Sequence, residues 1–410
     1  MTANTDTAPR RRFNRNLFLV WQGMAESKIG SVLYAIAIGI WVYDKTDSAA
    51  WMSMTTAISY FGNMLLQPLG GVLADRFNRR NLAAGSDAVC GVTMLLLGAL
   101  ALAGKMQVWQ VLVVAAISSV CSAVLYPAMN ALLPQLVEQN NLMRASALMQ
   151  STQAAIQMIG NAAGGFLVVI FGVPGIILFN GATFLFSSAT EWFIQVPETP
   201  HGQKTEHRSF IRDFADEFAY LKQHPGLTGM MAAGAAVNLT CGGFTGIVYA
   251  WCLDKGMDIP QYGLFLGAES AAMLAATVLM ALVPLPRRRR WHVLALANVG
   301  YNLLYIGAML ASGFRACTVL YTGFAFCNMV ANTFMYPAVM EAVEPAYHGR
   351  ILALFNAACV GTTAFSMVAY GLLGDAFGVM PVSLAGGVLT LIPAVLFVCN
   401  PTLRDLLTQE

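Results

Sequence analysis

Three charged side chains lie deep in apolar sequence, where charge is costly. Glu26 and Lys28 fall in the run Leu17 to Tyr43, and Glu269 in the run Gln261 to Leu285. Ionisable groups inside such runs are rare and tend to mark ion or substrate paths. Glu26 is nine residues into its run and Glu269 eight into its own, or about 12 to 14 Å deep at the helical rise. Desolvation favours the neutral form of a carboxyl group, so an acid at that depth can take up a proton on one side of a membrane and release it on the other. Glu26 and Glu269 are therefore the candidates for proton coupling or substrate contact. The competing reading pairs one of them with Lys28 as a fixed salt bridge or a cation-release switch. Lys28 is two positions from Glu26 and so points to nearly the opposite side of a helix, which argues against that particular pair. Asp87 and Glu191, nearer the ends of their runs, are expected to be interfacial or structural.

A second constellation is made of amides. Gln150, Gln153, Gln157 and Asn161 stand at i, i+3, i+7 and i+11, within about 80° of one another on a helix, and form one polar face. Four amides facing lipid are costly, so the face turns to a cavity or a neighbouring helix. Gly160 and Gly164 along its margin permit close helix approach. Substrate hydrogen bonding and interhelical amide bonding both fit. Asn328 and Asn332 form a smaller i, i+4 pair with the same two readings, as does lone Asn238. Tyr34, Tyr126 and Tyr336 have the depth to stack on a bulky amphiphile. Tyr60, Trp251, Tyr301 and Tyr305 read as belt or packing residues.

The elements that position these groups follow from composition. Of 410 residues, 57% are hydrophobic and 11% charged, less than half the ~25% charge of a soluble globular chain. Mean hydropathy is +0.61. Twelve runs are long enough to span ~30 Å of hydrocarbon as helices. They are Leu17 to Tyr43, Met52 to Ala74, Leu82 to Ala103, Val108 to Leu133, Ala145 to Ile170 and Gly175 to Val196, then Leu227 to Cys252, Gln261 to Leu285, His292 to Ala311, Ala316 to Met340, Ile351 to Leu373 and Pro381 to Cys399. The first is too long and too charged for a cleaved signal peptide. The expected class is an all-α polytopic membrane protein with a tail at 1–16, six spans over 17–196, a linker over 197–224, six spans over 225–400 and a tail at 401–410. In the linker, Phe210, Phe214, Phe218 and Leu221 recur at helical spacing among charges, the pattern of an amphipathic helix on the membrane surface.

Orientation follows from Lys and Arg, which collect in short cytoplasmic loops. With both termini on one side, that side holds eighteen of the 23 basic residues, including Arg10 to Arg12, Arg76, Arg79, Arg80, Arg144, Arg287 to Arg290 and Arg350. The other side has Lys45, Lys105, Lys255 and Arg315. Both termini are expected to be cytoplasmic, and nucleic acid is a poor partner for a chain whose positive charge is a topology signal. The eight cysteines fall in or beside the spans without Cys-x-x-Cys or Cys/His spacing, so no metal site, disulfide frame or cofactor is indicated.

The two halves repeat. Tyr126-Pro127-Ala128 recurs 210 residues later as Tyr336-Pro337-Ala338, each followed by a polar turn and then Arg144 or Arg350. Six plus six spans in parallel repeat is a transporter architecture with a midplane site. The turn Gly71-Val-Leu-Ala-Asp75-Arg76-Phe-Asn78-Arg79-Arg80 resembles the signature loop between spans two and three of the major facilitator superfamily, Gly-x-x-x-Asp-Arg-x-Gly-Arg-Arg. Asn78 stands where the family usually has glycine, and Asn is the best substitute where a positive φ is required. More narrowly, the stretch from Tyr126 to Val137 and Gly160-Asn-Ala-Ala-Gly164-Gly165 resemble the bacterial macrolide and siderophore exporter branch. Asn161 replaces that branch's usual proline, which questions the kink expected there.

The resemblance implies an alternating-access carrier, monomeric in the inner membrane, exporting an amphiphilic small molecule against protons. Gly71, Asp75, Arg76, Arg79, Arg80 and Arg350 would form the gating motif, with Asp75 near the start of span eleven, where the helix dipole favours an anion. An importer, a lipid- or lysolipid-moving permease and a non-transporting receptor are the alternatives. An ATP-driven pump is excluded by the lack of a phosphate loop. No His-Glu-x-x-His or Gly-x-Ser-x-Gly occurs, so an intramembrane enzyme is not expected.

Overall fold

The computed structural model describes residues 15–195, 220–283, 285–344, 347–400 and 404, with the side chains at 67–69, 71–72, 74–76, 131, 139, 287–288, 335–336, 338–342 and 349–350 outside the description. The described residues form helices and no strand. In chain order these are α1 (Arg15–Thr46), α2 (Ala49–Arg76), α3 (Arg79–Leu102), α4 (Val108–Leu136), α5 (Gln139–Glu191) and α6 (Pro225–Cys241). They continue as α7 (Phe244–Asp254), α8 (Ile259–Leu282), α9 (Arg287–Leu310), α10 (Phe314–Ala342), α11 (His348–Phe377) and α12 (Val379–Val398).

Among the described residues, ten helical stretches are long and apolar enough to cross a membrane. One of them is α5, 53 residues long, in which two helices are joined across a kink at Gly172. Gly172 has φ 65° and ψ 164°, a conformation open to glycine and strained for other residues, and Pro174 two positions on cannot extend the preceding limb. Helix α2 is not one of the ten. The chain is an all-α membrane protein, as its apolar runs require.

Two differences from the expected spans have local causes. Span seven is two helices, α6 and α7, parted at Gly242-Gly243. Span five, by contrast, runs unbroken past Asn161, because Gly172 is the non-helical residue inside α5. Pro127 and Pro337 lie inside α4 and α10, at equivalent places in the two halves.

The chain divides into two compact units. One comprises Met1–Ile38, Leu65–Gly160 and Leu167–His201. Its core gathers Leu17 and Val20 of α1, Leu132 and Leu136 of α4, Ala145 of α5 and Ile194. The other comprises Gly39–Met64, Asn161–Phe166 and Gly202–Glu410. There Met230, Leu294, Phe334, Ile351 and Phe397 pack into a core that also buries Tyr220 and Leu221. The linker positions Phe210, Phe214 and Phe218 lie outside the described residues, as do the side chains of Gly71, Asp75, Arg76, Tyr336 and Arg350.

Candidate functional site

Glu269 sits in the middle of α8. That helix is started by Asp258, whose carboxylate accepts the Gln261 N–H at 2.7 Å while the Gln261 side chain returns to the Asp258 N–H. A reciprocal cap of this kind satisfies two of the orphan donors at a helix start. Around Glu269 the environment is aromatic. The Tyr321 hydroxyl of α10 lies near its carboxylate, and Tyr60 of α2 lies within its electrostatic reach. Phe265, one turn earlier on α8, packs on Tyr321 at 4.7 Å and on Trp251 at 5.7 Å. Phe244 joins Trp251, Tyr305 and Tyr321 from α7. Glu269 is thus an acid set against phenols, with apolar rings beneath it.

Next to Glu269 in the chain, Ser270 accepts the Asn161 amide at 2.9 Å. Asn161 is buried at 8% exposure, and glycines make the approach possible. A Cβ at Gly267 would stand 2.6 Å from Ala162 Cβ, one at Gly263 would stand 2.7 Å from the Gly165 nitrogen, and one at Gly165 would collide with the Ile259 carbonyl. The amide face of α5 therefore ends on α8. At its other end Gln150 is exposed, and Gln153 donates to Met24 Sδ at 3.1 Å. Gln157 is half-buried between them.

On α1, Gln22 donates to Glu26 Oε1 at 3.1 Å, and Glu26 Oε2 is buried with no hydrogen-bond partner. Lys28 does not reach Glu26 and is itself half-buried. Gly160 lets α5 close on α1, since a Cβ there would lie 2.8 Å from Val32 Cγ1. The Tyr34 hydroxyl is buried and unpartnered, whereas Tyr126 is 59% exposed.

The remaining amides satisfy one another or their backbone. Asn238 donates to the Gly234 carbonyl at 3.0 Å and accepts from Thr363 of α11 at 3.2 Å. Asn332 donates to Asn328 along α10 at 3.0 Å. Four residues after Asn238 the helix breaks, and the Gly243 N–H takes Ser366 Oγ of α11 at 2.9 Å. Tyr370 of α11 donates to the Thr240 carbonyl. Sequence reasoning missed this break, although two glycines in the middle of an apolar run were its signal. It also passed over Tyr321, which only proximity ties to Glu269, and Ser270, whose tie to Asn161 only the packing of α5 on α8 shows.

In the loop before α3, Asn78 has φ −64° and ψ 115°. No positive φ is used there, contrary to the expectation for that position. Its side chain instead accepts the N–H groups of Arg80 and Asn81 at 3.0 and 3.4 Å, as an N-cap. The Arg80 guanidinium donates to the Ile194 carbonyl at 3.3 Å and stacks over Trp192 at 5.7 Å. Arg80 thereby ties the start of α3 to the residues that follow α5.

The profile of the Major Facilitator Superfamily matches residues 27–362, and the chain belongs to that family of transporters. It is 24% identical over 388 residues to Macrolide efflux protein A of Streptococcus pyogenes, covering 93% of this chain and 94% of that one. It is 23% identical over 350 residues to the enterobactin exporter EntS of Citrobacter koseri, covering 83% and 81%. Among solved structures, an inward-facing, unoccupied bacterial homolog of the human lysosomal transporter Spinster superposes with TM-score 0.72 at 13% identity, covering 98% of each chain. The nucleoside transporter NupG superposes with TM-score 0.70 at 11% identity, covering 94% and 98%. At those identities the structures speak for the fold.

Proposed function

We propose that this chain is a secondary active exporter that moves a bulky amphiphilic small molecule out of the bacterial cytoplasm in exchange for protons. It works as a monomer in the lipid of the inner membrane by alternating access, with both termini cytoplasmic and no cofactor. The observation that carries the reading is Glu269, a carboxylate in mid-span with the Tyr321 hydroxyl near it. A carboxyl so placed is the kind of group whose protonation can change with access. The efflux relatives, matched over most of the chain, support the outward direction.

Substrate contacts are assigned to Glu26, Lys28, Tyr34, Tyr126, Gln150, Gln153 and Gln157 in one unit. In the other they are assigned to Asn161, Asn238, Asn328, Asn332 and Tyr336. Lys28 supplies a counter-charge where the cargo is polar and anionic, and is structural where the cargo is a neutral lipophile. The halves at 17–196 and 225–400 are the moving bodies, and Asp75, with the arginines of its loop and Arg350, latches them on the cytoplasmic side.

Everted membrane vesicles with an acid-inside gradient test this reading, using a macrolide antibiotic and enterobactin as probes. Uptake of one probe that collapses when the gradient is dissipated is the expected result. No gradient-dependent flux of either probe, with Glu26→Gln and Glu269→Gln also without effect, overturns it.

A further inference from the structure

The unit that holds α3 contains two more acids, and neither takes part in the site above. Asp87 of α3 is 2% exposed, and Glu191, the last residue of α5, is fully buried. Ser27 of α1 donates to Asp87 Oδ2 at 3.3 Å. Asp87 Oδ1 and both oxygens of Glu191 have no hydrogen-bond partner. Ser187, 1% exposed and one turn before Glu191 on the same helix face, lies near both carboxyls, and its hydroxyl has no hydrogen-bond partner. The neighbouring Ser188 hydroxyl is already committed to the Ala84 carbonyl at 2.7 Å.

The helices close tightly on this place. A Cβ at Gly23 of α1 would stand 2.8 Å from Ser187 Oγ, and one at Gly91 of α3 would stand 2.7 Å from the Leu185 side chain. Water is thereby kept from the carboxyls. The ionisable groups facing them are few among the described residues. Cys90 of α3 lies one turn from Asp87 and meets Cys121 of α4. Lys28 follows Ser27 on α1 and is half-buried.

Two carboxylates within electrostatic reach of each other are strongly disfavoured in a dry interior unless a cation pairs with them, and no ion pair to either is seen among the described residues. Glu191 is worse placed still, because the C-terminal end of a helix repels negative charge. Both difficulties end if Glu191 keeps its proton, which also gives Ser187 and the orphan oxygens a donor to share.

We propose that Asp87 and Glu191 form a proton-binding site buried among α1, α3 and the second limb of α5, a carboxyl–carboxylate pair completed by the hydroxyls of Ser27 and Ser187. Loading makes one O–H bond. Unloading breaks that bond, sends the proton to solvent and leaves two like charges under the glycine contact of α1 with Ser187. The site thus opposes close packing of α1 when empty and permits it when loaded. It stands whether or not Glu269 couples transport.

Infrared difference spectroscopy of the full chain in lipid nanodiscs tests this, because a protonated carboxyl has its own C=O stretch. A band present at neutral pH that shifts in heavy water and fades as pH rises is expected. It should disappear in Glu191→Gln or Asp87→Asn, persist in Glu269→Gln, and move in frequency in Ser187→Ala, which retains both acids if the isosteres fail to fold. Three results overturn the proposal: no such band, a band indifferent to Asp87, Glu191 and Ser187, or a band removed by sodium at constant pH, which would make the pair a metal-ion site.

Discussion

The Asp375 carboxylate, at the end of α11, accepts the backbone N–H of Ala49 at 2.6 Å and so caps the first turn of α2. Its other oxygen takes the Ser48 hydroxyl and, at 3.3 Å, the Ala50 N–H. Helix starts leave N–H groups unpaired and carry the positive end of the dipole, so a carboxylate from a second helix satisfies both. Further along the same seam, Phe61 meets Phe365 edge-on at 5.1 Å, and a Cβ at Gly371 would collide with Ser53.

Asp375→Ala should therefore cost about 1 kcal/mol, as losses of N-caps do, read as a lower unfolding midpoint in detergent. On the proposed topology the α1–α2 turn faces outward. A cysteine at Ser48 should then react faster with a membrane-impermeant maleimide in the Asp375→Ala background. Equal stability and equal labelling would show that the cap holds nothing.

Glu269→Gln keeps size and loses the ionisable proton. Gradient-driven efflux of the transported probe should fall by about tenfold or more, equivalent to about 1.4 kcal/mol of barrier, while exchange without a gradient survives. Tyr321→Phe should give a smaller loss of the same kind. If Glu269→Gln pumps at the rate of the native chain, coupling lies elsewhere.

Asn78 separates two accounts of the signature loop. As an N-cap, Asn78→Ala should destabilise by about 1 kcal/mol, Asn78→Asp should be nearly neutral and Asn78→Gly should cost only a few tenths. Were a positive φ the requirement, Asn78→Gly would instead stabilise the chain and Asn78→Asp would be harmful. Thermal unfolding of the three variants distinguishes the patterns.

Gly243→Ala tests the break between α6 and α7. The new methyl would stand 2.5 Å from the Ser366 carbonyl oxygen, a clash that neither backbone can relieve cheaply. Destabilisation of about 1–3 kcal/mol is expected, in the range of overpacked cores. Gly39→Ala, where a Cβ meets nothing within 4 Å, serves as the control and should be near neutral.

Much of this protein was readable from the order of its residues. Apolar run length determines the number of crossings, because each helix in lipid must satisfy its own backbone. The kink at Gly172 and Pro174 follows from local φ restrictions that need no partner. The signature loop identified the family by residue type alone, although it misled on Asn78, since an asparagine offers both a permissive φ and a capping oxygen. Depth along a run proposes Glu26 and Glu269 as site residues, because charge is costly in lipid.

Tertiary structure decided what those residues meet. Asp87 and Glu191 lie over a hundred positions apart in the chain and read as isolated structural acids, yet helix packing brings them to one dry seam with Ser27 and Ser187. Tyr321 becomes a partner of Glu269, Asp375 a cap for α2, and Asn161 a ligand of Ser270 only because glycine faces let particular helices touch. Periodicity tells which side of a helix a residue occupies. It does not tell which other helix lies against that side, and hydrogen bonds and charge pairing act only over the last few ångströms.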